Sequence, residues 1–447
     1  TCTGEGVCSP GSIDTQSCGN CGTQTRSCNA SCQWDPWGTC LNQGVCTPGA
    51  TQSCSFGSCS GTQTCNSSCQ WGSCNFGATP SNDTCAGAIN VGGGGTFTGT
   101  TCGANNDYAG SCGSSTSPEV VYVLNLSVRS NVDINTCSGT SWDTVLYLRS
   151  GSCTGTEIGC SDDACGVQSR ITATLDPGTY YIFVDGFGSG NAGAFTLSVS
   201  AVPVNDACTN AIDISAGGTF NGNTTGATDD SGACAGSGIK GVWYRFTLSQ
   251  QEVVYLDTQD GNLWDSVITV KSGSCTGSNV LCGDDSCSNG RSQIAGVLSA
   301  GTYYVLVSGY FSSAYGPFTL RYQHSPCPGA VALSTSQTGN TSGWGNHTTA
   351  SCGSGAGSED RPYYLTKCPG SSSISANTCT GTSYDSVLYI RSGSGGTCGS
   401  TEVACNDDSC GLQSSVSATV TGPGLFFVIV DGYSSGNVGA YTLTASF

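Results

Sequence analysis

The sequence predicts an all-β protein: three tandem antiparallel β-sandwich modules, jelly-roll-like, after a small disulfide-rich stalk. Three observations carry that expectation. One block is written three times, at residues 141–166, 263–288 and 383–411. Each copy runs from an aromatic–Asp pair through a short apolar stretch and a Ser-Gly turn to Cys-x-Asp-Asp-x-Cys. Apolar residues alternate with period two in VLYLR, YYIFV and FTLSV, with Gly, Asn and Asp at the breaks and no helical period beyond a turn. Finally, 32 Cys in 447 residues is a density that persists only as disulfides or metal clusters.

Residues 1–77 form the stalk, which holds two Cys-dense repeats too short to bury a core, so cross-links must supply stability. The first runs Cys8, Cys18, Cys21, Cys28, Cys32, Cys40 and the second Cys46, Cys54, Cys59, Cys65, Cys69, Cys74. Cys2 is read as the last Cys of a preceding repeat, which makes the chain part of a longer array.

From residue 78 three modules follow, at 78–202, 203–324 and 325–447. Each passes through a Gly/Thr/Asn-rich hairpin to an aromatic strand (EVVYVLNL, GVWYRFTL, DRPYYLTK). Each then carries the recurring block and closes on a strand pair such as GTYYIFVDGFGSGNAGAFTLSVS. Eight or so short strands without a helix imply an antiparallel sandwich.

Composition narrows the function. Thirty Asp and Glu against 12 Lys and Arg give a net charge of −18. Nucleic-acid and anionic-membrane binding require a basic patch and are excluded. There is no apolar run near 18 residues, hence no expected membrane span. With two His and no second CxxC at zinc spacing, the Cys are expected to be disulfides and the protein secreted, extracellular or at a cell surface.

Two resemblances enter at these residues. The order DTVLYL, GCSDDACG, TYYIFVDGF, GAFTLSV resembles bacterial pre-peptidase C-terminal domains, and TCSGTSWDTVLYL also resembles CUB domains. The first implies secreted β-sandwiches that are ancillary rather than catalytic, and both imply frequent calcium binding at loop carboxylates. CGTQTRSC with SCQWDPWGTC resembles thrombospondin type 1 repeats, which implies an Arg–Trp stack in the first stalk repeat. The second repeat lacks Arg26 and keeps only Trp71.

Cysteine arithmetic gives a sharper expectation. All modules share five positions: Cys85, Cys112, Cys153, Cys160, Cys165; Cys208, Cys234, Cys275, Cys282, Cys287; and Cys327, Cys352, Cys398, Cys405, Cys410. Module 1 adds Cys102 and Cys137, and module 3 adds Cys368 and Cys379. Module 2 has Thr225 and Gln259 instead, and that joint loss suggests a Cys102–Cys137 bridge, with Cys368–Cys379 its rewired version. The CUB resemblance implies instead Cys137 with Cys160 or Cys165, leaving Cys102 over. The stalk and modules hold 13, 7, 5 and 7 Cys, all odd. Bridges must therefore leave every segment, which suggests a covalently locked rod or a polymer.

The carboxylates recur too. Asp143, Asp162, Asp163 and Asp185 reappear as Asp265, Asp284 and Asp285, then as Asp385, Asp407, Asp408 and Asp431; Ser308 replaces the fourth Asp in module 2. Oxygen ligands at loop positions suit calcium. Asn82-Asp83 and Asn205-Asp206 at the module starts are a second calcium candidate, resembling linker ligands of pre-peptidase domains. Module 3 has Ser325-Pro326 there.

No catalytic constellation is evident: three Lys and two His leave acid–base and nucleophilic chemistry little to draw on. The nucleophile-elbow match at 432–436 falls in a hairpin with no helix behind it. The expectation is a non-catalytic structural or adhesive protein, a component of a bacterial surface or extracellular fibre, that self-associates or binds other surface proteins or carbohydrate. The alternative is an ancillary substrate- or carbohydrate-binding region of a secreted hydrolase.

Overall fold

Period-two alternation becomes strand pairing throughout. The structure, a computed structural model, describes residues 7–113, 116–230, 234, 238–261, 263–354 and 357–447; Cys2 lies outside them. In module 1 a five-stranded sheet orders Glu157–Asp162, Thr144–Ser150, Gly178–Gly186, Val120–Leu126 and Ile89–Asn90. A four-stranded sheet orders Arg170–Leu175, Ser130–Asn135, Ala194–Pro203 and Gly95–Thr100. Thr144–Ser150 pairs antiparallel with both its neighbours and Ala194–Pro203 with Gly95–Thr100, whereas at the short opening strand Ile89 pairs in parallel with Tyr122. No α-helix occurs among the described residues.

A two-layer sandwich normally wets its outer faces, yet Val145–Leu148 and Ile182–Val184 are buried on both sides. One face meets the core. The other packs Val121, Val145, Tyr147 and Phe183 against Tyr108, Cys85, Cys112, Cys153 and Cys160. Bridges Cys85–Cys153 and Cys112–Cys160 hold this cover down. Arg149 reaches across it, donating to the Cys153 and Ala109 carbonyls at 2.7 Å.

Modules 2 and 3 repeat both bridges, as Cys208–Cys275 with Cys234–Cys282 and as Cys327–Cys398 with Cys352–Cys405. In module 3, Arg361–Asn377 and Ser415–Gly432 run on from one layer into the other, with a register shift between Lys367 and Gly370. The two layers therefore form one seven-stranded sheet.

The chain forms two compact units: Thr1–Asn125 with Val132–Ala173 and Gly178–Ser200, and Ala201–Phe447 with Leu126–Asn131 and Thr174–Pro177. Within the second unit, Val253 and Tyr255 of module 2 join an apolar cluster with Leu425, Phe427 and Cys327 of module 3. Arg321 donates to the Pro423 carbonyl at 2.6 Å.

The expected bridges Cys102–Cys137 and Cys368–Cys379 do not form. Cys102 bonds Cys59 of the stalk, Cys137 bonds Cys165, Cys368 bonds Cys287 of module 2 and Cys379 bonds Cys410. Sheet order explains the first correction. The strand leading to Cys102 and the strand leading to Cys137 are separated by Ala194–Pro203, about 9.5 Å at ordinary strand spacing, beyond disulfide reach. Gln259 replaces the Cys137 equivalent in module 2, so Cys287 has no partner inside its own module and crosses to module 3. The parity argument for bridges between segments holds.

The stalk consists of two hairpins, Ile13–Cys18 with Gly22–Ser27 and Thr51–Phe56 with Cys59–Thr64. Cys8–Cys28 and Cys18–Cys40 recur as Cys46–Cys65 and Cys54–Cys74. Each hairpin-turn Cys bonds the next unit: Cys21 bonds Cys69 and Cys59 bonds Cys102. Arg26 stacks on Trp34 at 4.8 Å and Trp37 at 4.3 Å and pairs with Asp14 at 2.7 Å.

Candidate functional site

The recurring block folds into the same acidic corner in each module. In module 1 Asp143 immediately precedes the strand Thr144–Ser150, Asp162 ends the neighbouring strand Glu157–Asp162, and Asp163 follows in the left-handed region at φ 53°. The three offer oxygens within 4.8 Å of one another, and so do Asp265, Asp284, Asp285 and Asp385, Asp407, Asp408.

Covalent clamps fix each Asp-Asp loop at both ends. Cys160 and Cys165 lead to Cys112 and Cys137, and Cys405 and Cys410 lead to Cys352 and Cys379. In module 2 one clamp, Cys287–Cys368, is also the staple to module 3. Behind the leading Asp lies a buried hydroxyl network. Thr136 and Thr144 hydroxyls meet at 2.7 Å, and Ser169 donates to the Thr144 carbonyl. Thr258, Ser266, Ser292 and Thr378, Ser386, Ser414 repeat it. Sequence reasoning missed this network, although its signal, Thr or Ser at matching positions in all three copies, was on the page.

The electrostatics are unfavourable as they stand. Burial, reinforced by the neighbouring carboxylates, raises the Asp143 and Asp162 pKa values, and the same holds for Asp265 and Asp284 and for Asp385 and Asp407. One buried oxygen of each of Asp143, Asp162, Asp265, Asp385 and Asp407 lacks any hydrogen-bond partner. Leaving such an atom unsatisfied costs about 1–3 kcal/mol. Converging carboxylate oxygens form a donor set that fits a hard divalent cation of calcium's preferences.

Asp185 and Asp431 are not brought into these corners. Asp162 and Asp185 flank Val145 from opposite sides, two strand spacings or about 9.5 Å apart. Both fourth carboxylates are buried instead, Asp185 with its pKa pushed up to about 7 and Asp431 likewise, chiefly by burial.

The module-opening pairs are used internally. Asn82 donates to the Val121 carbonyl at 3.2 Å, and Asp83 accepts from the Asn105 backbone and side chain at 2.6 and 2.7 Å. Asn205 donates to the Trp243 carbonyl at 3.0 Å, and Asp206 accepts from Thr228 at 2.6 and 2.8 Å. Asn82 and Asn205 thus pin the opening segment to the aromatic strand, while Asp83 and Asp206 hold the segment that precedes that strand.

An aromatic residue beside each corner went unnoticed in the sequence. The backbone N–H groups of Phe187, Tyr310 and Tyr433 donate to the Asp143, Asp265 and Asp385 carbonyls, and all three side chains are exposed.

No protein-family profile and no curated protein sequence matches the chain. Among solved structures, the pre-peptidase C-terminal domain of collagenase from Bacillus anthracis is similar at 20% identity, over 28% of this chain and 100% of that one, with TM-score 0.20. The human MASP-1/3 CUB1-EGF-CUB2 segment is similar at 9% identity, over 51% and 99%, with TM-score 0.14. A fucolectin from striped bass (Morone saxatilis) serum is similar at 10% identity, over 51% and 95%, with TM-score 0.17.

Proposed function

We propose that this chain is a non-catalytic extracellular structural or adhesive component whose sandwiches are stiffened by calcium at the Asp143, Asp265 and Asp385 corners. The observation that carries the reading is the stapling of the two stalk repeats, of the stalk to module 1 and of module 2 to module 3 by Cys21–Cys69, Cys59–Cys102 and Cys287–Cys368. No free Cys occurs among the described residues. Disulfides at this density fit an oxidising, extracellular compartment. Bridges from one unit to the next favour resistance to extension over the motion that a catalytic cleft needs. No helix among the described residues is long and apolar enough to cross a membrane.

Pulling single full-length molecules tests the structural part. The oxidised chain should lengthen only in short steps, because most residues lie inside closed loops, and reductant should release much longer ones. Full extension of the oxidised chain at low force would sink it. Calcium is tested by melting in millimolar calcium and in chelator. Calcium at about a thousand times its dissociation constant should stabilise the fold by about 4 kcal/mol per site. Coincident melts would remove calcium from the account.

The exposed Phe187, Tyr310 and Tyr433 favour a second reading, a carbohydrate-binding region, since an aromatic face beside a cation corner suits a sugar. Retention on immobilised polysaccharides, lost in F187A/Y310A/Y433A, would support that reading over the first.

A further inference from the structure

A second class of carboxylate pair lies inside modules 1 and 3, away from the acidic corners. Its registry is visible in module 2, where Gly241 and Ser308 face each other across the sheet. The opening strands align through the parallel pairs Ile89–Tyr122, Ile212–Tyr244 and Val331–Tyr363. Counting back three residues places Glu119, Gly241 and Asp360 at one position. The partner position holds Asp185, Ser308 and Asp431. Modules 1 and 3 therefore set two acidic residues directly opposite each other, where Cβ atoms come within about 5 Å.

Both pairs are almost sealed: Glu119 and Asp360 are 0% exposed, Asp185 2% and Asp431 5%. Like charges so placed repel strongly in a medium that screens poorly. The charged groups that act most on Glu119 are Asp185 and Asp107, both acidic. One Glu119 oxygen accepts from the Asp107 and Tyr108 backbone N–H groups at 2.8 Å each, contacts that favour its charged form. The other, Oε2, is buried with no partner.

In module 3 Asp360 accepts from the His347 and Thr348 backbones at 2.6 and 2.8 Å, with His347 Nδ1 at 3.1 Å. Asp431 accepts from the Gly432 backbone at 2.7 Å and from the Tyr389 hydroxyl at 3.4 Å, so every oxygen of this pair has a partner. Gly432 is required here, since a Cβ would stand 1.9 Å from the Asn437 carbonyl oxygen.

Module 2 lacks both acidic residues, and in their place Asp230 Oδ2 and the Ser308 hydroxyl are buried without a partner. The Asp230 carboxylate lies 2.9 Å from where a Gly241 Cβ would stand, and it accepts from Trp243 Nε1 at 3.2 Å.

We propose that the Glu119–Asp185 pair binds a divalent cation of the calcium type inside the sandwich of module 1. The ion takes the unpartnered Glu119 oxygen and the Asp185 carboxylate. This site is independent of the three corners.

Equilibrium dialysis of the oxidised full chain against calcium alone, with atomic absorption, tests this. The background variant is D143N/D162N/D265N/D284N/D385N/D407N, which disables the corners. It should still bind calcium, and adding E119Q/D185N should remove one ion per chain. A background variant that binds no calcium overturns the proposal, and that count needs no substitution at the pair, so it decides even where the pair variant misfolds. Retention of that ion in the folded pair variant overturns it as well. Failure of the corner sites shows separately, as a wild-type count equal to that of the background variant.

Discussion

Glu119 and Asp185 show how a single side chain changes meaning with burial. In the sequence Glu119 is one acidic residue before an apolar strand, indistinguishable from a solvated charge. In the fold its pKa rises to about 8, first through burial and then through Asp185, while that of Asp185 rises to about 7. In chelator the folded protein therefore holds protons that the unfolded chain has released. Stability should fall as pH climbs from about 4 to about 8, by up to about 1.4 kcal/mol per pH unit for each group, then level off. Denaturation midpoints across that range check this, and E119Q/D185N should flatten the slope. Saturating calcium should flatten it too, because the ion takes the place of the protons. The sequence did hold a usable signal, since Glu119 and Asp185 are lost together in module 2 as Gly241 and Ser308. Arg26 is the converse case, a stack legible from Trp34, Trp37 and the thrombospondin-like spacing. R26A should destabilise the first stalk repeat by about 1 kcal/mol per ring, measurable as faster local hydrogen exchange there and not in the second repeat.

At the scale of the element, strands and corners were legible and strand neighbours were not. The repeats mark Thr144–Ser150, Ser266–Ser272 and Ser386–Ser392 and place an Asp before each, so the corners follow from local spacing once a hairpin is assumed. Which strand lies beside which is a non-local choice. That is why joint loss of Cys102 and Cys137 suggested a bridge that sheet order forbids, and why Asp185 was grouped with Asp162. Cys287–Cys368 joins residues 81 apart and anchors the module 2 corner. On the chain-entropy account, C287S/C368S should cost about 4 kcal/mol. For a unit of this size that corresponds to a melting point lower by about 10 °C. Calcium affinity at Asp265, Asp284 and Asp285 should weaken as the loop loosens, while the other corners keep theirs. Unchanged melting and affinity would mean that the staple does not constrain the loop.

For the whole molecule, the pattern of bridges decides what reduction and cleavage can separate. Odd Cys counts required bridges out of every segment, and the structure satisfies them in two sets. Cys59–Cys102 closes the stalk onto module 1, and Cys287–Cys368 closes module 2 onto module 3. Among the described residues no disulfide joins residues 7–202 to residues 203–447. A protease site inserted after Val202 should therefore split the oxidised chain into two fragments that part under denaturing, non-reducing conditions. A site inserted after Ala78, or in the segment between modules 2 and 3, should leave the pieces linked until reductant is added. The second case carries the argument, because parity alone could be satisfied by bridges between chains. If cleavage between modules 2 and 3 released module 3 without reductant, or if the intact chain ran as a covalent ladder, Cys287 and Cys368 would be pairing between molecules. The staple would then build a polymer in place of a closed pair of sandwiches.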